Sequence, residues 1–289
     1  MQDRSSASPR VRFSLLWRIT LPFMLLAMIL GFGATYLVNR LFSEDESRRF
    51  ERQLVNSGQQ AADSVVRAEI DLLKLERSIA NTVGVADAAA AADAEGLRVL
   101  VLPPVVNAGA DVVAVLNEQG TSLLTVRRRP EANVGDYDTL RQETYYAEWP
   151  FVQQVLAGVS DEVVGDKHAG MEPIILDGVE RHVFFVAGPL FDSTQTLKGA
   201  VLVGEYLDRL GKTVENEAGA NISIYASGSG EALSSTLEGD LSSLNLTAED
   251  LASVGEVGEA RSPVRSVQVA GVEYSEVLTR LIVREGTVT

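Results

Sequence analysis

The sequence predicts an α+β chain: a membrane-spanning helix, a long amphipathic helix after it, then two modules built on antiparallel sheets, the second smaller. Three observations predict it. An uncharged apolar run near the start is long enough to cross a bilayer. A stripe at steps of three or four follows, with no proline from Leu41 to Val83. Beyond residue 110, short β-branched runs alternate with Gly, Asn and Asp turns.

The apolar run is Ile19 to Asn39, flanked by Arg18 and Arg40. Its 21 residues would span roughly 31 Å as a helix, against a hydrocarbon core of about 30 Å. A cleaved signal peptide is the competing reading, with Gly31-Phe32-Gly33 as a weak small-x-small site. An apolar region of about 20 residues exceeds the usual 7–15 of such peptides, which favours an anchor. The first 40 residues hold five arginines against Asp3 alone, so residues 1–18 are expected in the cytoplasm and everything after Arg40 outside it.

Residues 40–84 read as a long stalk helix. Phe50, Leu54, Ser57, Ala61, Val65, Ala68, Leu72, Leu75, Ile79 and Thr82 keep one stripe on one face. Ser43 before Glu44, Asp45 and Glu46 suits a helix start, and Gly84 a stop. Small residues (Ser57, Gly58, Ala61, Ala62) make the stripe a poor permanent coiled coil, but a homodimer through it is expected. A first sheet module is expected over residues 85–212. It starts with a helix over Ala86–Ala94 and a helical stretch, Leu97–Val106, interrupted at Pro103-Pro104. Strands follow at Asp111–Leu116 and Thr121–Arg127, then a polar loop to Gln142 and a short helix from Phe151 stopped by Gly158. Further strands are expected at Glu162–Val164, Glu172–Leu176, Glu180–Ala187 and Leu197–Gly204, then a helix over Glu205–Ala218. The second module, residues 213–289, repeats the opening: NISIYASGSGEALSST echoes DVVAVLNEQGTSLLTV. A short helix near Ala248–Val254 and a hairpin around Ala270-Gly271 complete it.

Composition excludes several chemistries. The chain has 289 residues, 25 Lys+Arg, 40 Asp+Glu, two histidines and no cysteine. Without cysteine there is no disulfide framework, thiolate metal site or catalytic thiol. A net charge of -15 opposes nucleic-acid binding. No nucleophile elbow, H-E-x-x-H or phosphate loop is present, and His182 lies in a strand instead of on a helix where a phospho-acceptor would sit, so no enzyme, metal or cofactor is expected.

Phe151 to Leu210 carries the most specific pattern: FVQQVLAG, then VVGDKHAGMEPI, then FFVAGPLFDSTQTLKGAVLVGEYLDRL. With the single anchor and the long helix, residues 40–289 resemble the double Cache (PAS-like) extracytoplasmic sensor domains of bacterial transducers, of the nucleotide cyclase or histidine kinase type. The resemblance implies a small-molecule sensor at the plasma membrane, with the first Cache module distal and the second proximal to it. It also implies a second span and a cytoplasmic output domain. This chain stops at Thr289 without them, so either a fragment of a longer transducer or a tethered sensor acting through a partner is expected. The amino-acid-binding subset carries an aspartate where Gly204 stands, so an amino-acid ligand is not expected.

Within the first module, Tyr145, Tyr146 and Trp149 offer aromatic surface with polar tips for a ligand. By period two, His182, Phe184 and Val186 share one strand face, and Arg181, Val183 and Phe185 the other. The expected pocket comprises Arg127, Tyr145, Tyr146, Trp149, Lys167, His182 and Phe184. If Arg127, Lys167 and protonated His182 converge, the ligand is anionic. Trp149→Ala and Tyr146→Ala are then expected to weaken binding and leave the fold intact. The alternative is a membrane-anchored protein-interaction module with no small ligand.

Overall fold

The computed structural model describes residues 15–129, 135–160, 165–254, 264–283 and 286–288. The chain divides into two units, Met1–Gln53 and Leu54–Thr289. A single helix, α1 (Leu15–Ala80), begins in the first and ends in the second. In the first unit, Phe23, Met24, Ile29, Leu30 and Phe32 are exposed on an uncharged stretch. Among the described residues no helix is long and apolar enough to cross a membrane.

The second unit is organised by a six-stranded antiparallel sheet. Its strands are β1 (Val112–Leu116), β2 (Ser122–Arg128), β3 (Tyr137–Leu140), β4 (His168–Leu176), β5 (Val179–Phe191) and β6 (Leu197–Tyr206). Their order is β3-β2-β1-β6-β5-β4. β1 sits between β2 and β6, and all five of its residues are buried. That follows from its unbroken apolar run, which only a strand covered on both faces can accommodate.

Alternation sorts the strand residues into two layers. Val113, Val115, Val126, Phe184, Val186 and Val203 join a core with α1, α2 (Val85–Ala90), α3 (Ala94–Ala108) and α5 (Leu207–Ala218). Val112, Ala114, Val183, Phe185, Ala187 and Leu202 face the other way, onto a 3-10 turn (Tyr145–Glu148) and α4 (Pro150–Leu156). Helix α1 contributes Val65, Leu72, Leu73 and Ile79 to the first layer. Asp111, just before β1, pins the start of α5. It is 1% exposed, accepts a hydrogen bond from the Tyr206 backbone N–H at 3.0 Å and pairs with Arg209 at 2.7 Å.

Three features differ from the sequence reading. The segment read as a polar loop up to Gln142 contains β3, four residues at the sheet edge tied back by Tyr137 Oη donating to the Ala110 carbonyl at 2.8 Å. Helix α3 runs through Pro103 and Pro104 without interruption. The prolines cannot donate to the carbonyls four residues back, yet Leu97, Val101 and Val105 are wholly buried, and their packing outweighs the lost bonds. Strand β4 begins at His168, four residues before the expected start. The strand expected at Glu162–Val164 lies outside the described residues.

Beyond α5, the described strands form three two-stranded ladders. They are β7 (Ser223–Tyr225) with β8 (Ala232–Ser235), β9 (Arg265–Val269) with β10 (Val272–Glu276), and β11 (Leu281–Val283) with β12 (Gly286–Val288). A separate small core, including Tyr225, Leu244, Val267, Val269 and Leu278, joins the first two ladders, whereas Leu281 of β11 packs against the main core. Arg265 ties it by donating to Glu276 at 2.6 Å, Asp250 at 3.0 Å and the Leu244 carbonyl at 3.0 Å.

Candidate functional site

The side chains best suited to recognise a ligand gather on the α4 face of the sheet. Pro150 fixes the first turn of α4, and the preceding 3-10 turn lays Tyr145, Tyr146 and Trp149 against the strands. Their rings lie 4.3 to 5.5 Å apart. Trp149 also meets Phe151 at 5.7 Å and Phe185 at 5.1 Å. Tyr146 is fully buried and Trp149 only 6% exposed.

Arg127 reaches this group from β2. Its Nη2 donates to Glu143 Oε1 and to Tyr145 Oη, both at 2.9 Å. Tyr145 Oη donates to the same carboxylate oxygen at 3.0 Å, and Tyr146 Oη to Glu143 Oε2 at 3.3 Å. Thr125 Oγ1 lies 3.3 Å from Tyr146 Oη. Burial opposes the guanidinium charge, but the oxygens of Tyr146, Tyr145 and Glu143 outweigh it and hold the arginine pKa above its ordinary value. Burial likewise raises both tyrosine pKa values, so the phenols stay neutral donors. One donor is spare: the buried Arg127 Nε has no hydrogen-bond partner among the described residues. The arrangement is a charge-assisted network with an unused N–H beside an aromatic wall.

Four of the seven sequence-predicted residues, Arg127, Tyr145, Tyr146 and Trp149, therefore come together. The other three do not join them. Phe184 faces the α1 layer, and Phe185 is the residue that meets Trp149. This corrects the placing of Phe184: alternation gave the two faces of β5 but not which one α4 covers. His182 lines a cleft of about 400 Å³ with Arg181, Asp208, Glu231 and Asn245. Lys167 pairs with Asp166 at 2.8 Å and acts on Glu76 of α1. The structure thus gives Arg127, Lys167 and His182 three separate settings. Glu143, the anion at the centre of the network, was missed by sequence reasoning because a lone glutamate in a polar stretch carries no signal.

Gly204 of β6 pairs with Phe185, and a Cβ there would lie 2.6 Å from its ring. A side chain there would have to displace that ring, and glycine supplies no carboxylate.

The family described as "double sensory domain of two-component sensor kinase" (dCache_3) matches residues 47–287. Among solved structures, the ligand-binding domain of the Campylobacter jejuni chemoreceptor Tlp3 in complex with L-valine is similar at 12% identity and a TM-score of 0.53, covering 85% of this chain and 91% of that one. Methyl-accepting chemotaxis protein X is similar at 13% identity and a TM-score of 0.56, covering 83% and 97%. The extracellular domain of vpHK1S-Z8 gives 9%, 0.51, 82% and 91%. No curated protein matches the sequence. The sheet, its two covered faces and the match over most of the length lead to one conclusion: the chain belongs to the double Cache family of sensory domains.

Proposed function

We propose that the chain is the extracytoplasmic part of a membrane-bound bacterial signal transducer. It takes an anionic small molecule at Arg127, Tyr145, Tyr146 and Trp149. The observation that carries this reading is the spare Arg127 Nε, a buried donor on a charged group with Tyr145 Oη and the Glu143 carboxylate alongside. An unmet donor in such a setting costs free energy, which a ligand oxygen would recover. Glu143 occupies Arg127 in the meantime, as an internal stand-in for the ligand's anion. Solved neighbours bind L-valine and isoleucine. Here Gly204 offers no acid for an α-ammonium group, which favours carboxylates without one.

Residues 19–39 supply the anchor in this reading, supported by their uncharged sequence and the exposed Phe23, Met24, Ile29 and Leu30. Residues 1–18 are the cytoplasmic tail and 40–84 the stalk. Residues 85–212 form the membrane-distal module and 213–289 the proximal one. The domain works in the periplasm as a homodimer, and ligand acts by binding one setting of α1 better than another. A thermal-shift screen of the full chain in detergent against mono- and dicarboxylates and amino acids tests the site. A rise in Tm with one carboxylate class, lost in Arg127→Lys, is expected, because lysine keeps the charge but not the Nε. A rise that Arg127→Lys leaves unchanged, or no rise with any compound, overturns it.

A further inference from the structure

The opposite face of the sheet covers a buried acid. Glu76 sits on α1, two turns beyond Glu69 on the same buried face, and has no exposed surface. Among the described residues, neither of its carboxylate oxygens has a hydrogen-bond partner. The carboxyl lies against β5 at Gly188, where even a methyl group would overlap it. Glycine is what leaves room for an acid there.

The groups around it do not neutralise it. From the segment leading into β4 come Lys167 and Asp166, which pair with each other at 2.8 Å; from α1 itself comes Arg77. From β5, Gly188 lies against the carboxyl. His168, the next residue, pairs in register with Ala187 of the other layer and has its Nε2 3.0 Å from the Val159 carbonyl. Burial pushes the Glu76 pKa up to about 7; Lys167 pulls it down, Asp166 raises it and Arg77 pulls it down, each by less.

We propose that Glu76 is a proton-binding site at the junction of α1 and the sheet, and that its occupancy sets how firmly α1 is seated. The protonated acid is neutral and tolerates the dry interface. The carboxylate is a buried charge that Lys167 and Arg77 offset only in part, and admitting water or moving α1 toward solvent relieves it. An unfolded or unseated glutamate ionises near 4.5, and the seated one near 7. Seating is therefore fully favoured below pH 4.5, weakens as pH rises above it and has lost its full share once pH has passed through 7. The difference of the two values corresponds to at most about 300-fold in the seating equilibrium. The inference does not depend on the aromatic site.

Amide hydrogen exchange of residues 69–80 in the full chain tests it, comparing wild type, Glu76→Gln and Glu76→Leu at equal pH. At pH 5 the wild type should exchange within about fivefold of the variants. At pH 8 the wild type should exchange at least tenfold faster than either variant. Equal protection at pH 8, or the same excess already present at pH 5, overturns the proposal. If neither variant folds, the wild type alone decides: its protection, corrected for intrinsic rates, must fall at least tenfold between pH 5 and pH 8, and a constant value overturns it.

Discussion

Trp149→Ala distinguishes a packed aromatic layer from an open pocket wall. The indole is 6% exposed and lies 4.8 to 5.7 Å from the rings of Tyr145, Tyr146, Phe151 and Phe185. A tryptophan buries about 200 Å². At about 25 cal/mol per Å², that amounts to roughly 5 kcal/mol, of which alanine keeps a small part. Large-to-small changes of this kind cost about 3–5 kcal/mol. Set against a total stability of about 5–15 kcal/mol, the variant should be marginal. The burial of Trp149 and of Tyr146 therefore leads to a prediction opposite to the expectation that alanine at either would spare the fold. Guanidinium unfolding followed by far-UV circular dichroism provides the measurement. An unchanged m-value with a loss of at least 3 kcal/mol is expected. A loss below about 1 kcal/mol would mean that water readily replaces the ring, and would contradict its burial among these aromatic neighbours. Trp149→Phe keeps most of the contact and is the proper variant for ligand studies.

Two further changes probe the frame. Gly204→Ala places a methyl 2.6 Å from the Phe185 ring and 2.7 Å from Val183 Cγ1, so a loss of about 1–3 kcal/mol is expected in the same unfolding assay, and a neutral result would contradict the close packing of β5 on β6. Asp111→Asn removes the charge from the 2.7 Å pair with Arg209 at a 1%-exposed position; a loss of about 2–4 kcal/mol is expected, with faster amide exchange at Tyr206 and the first turn of α5.

Much of the sheet was legible because its strands are apolar runs ended by turn residues with no other use. Asp177-Gly178 joins β4 to β5 with both residues at positive φ. The turn Asp192–Gln195 joins β5 to β6, with Asp192 accepting from the Thr194 and Thr196 backbone N–H groups. The face assignments were not legible. Phe184 and Phe185 are equivalent until tertiary packing places α4 on one side and α1 on the other. Edge strand β3 escaped because Tyr137–Leu140 has only four residues and none of them is fully buried. Glu76 escaped for a related reason. The apolar stripe passes through Leu72, Leu75 and Ile79, and an acid beside it reads as solvated charge until the sheet closes over it.

The pairing of β1 with β6 joins partners far apart in the chain: Val113 lies opposite Val203, about 90 residues later. The hairpin of β1 and β2 and the meander of β4 to β6 form locally, yet this one seam unites them. As the polypeptide emerges during synthesis, the apolar side of α1 has no finished platform until β6 has arrived. Closing so long a loop before its contacts repay the cost slows folding. A chaperone that shields the nascent helix through that interval would raise the yield of this domain more than one acting after the last strand.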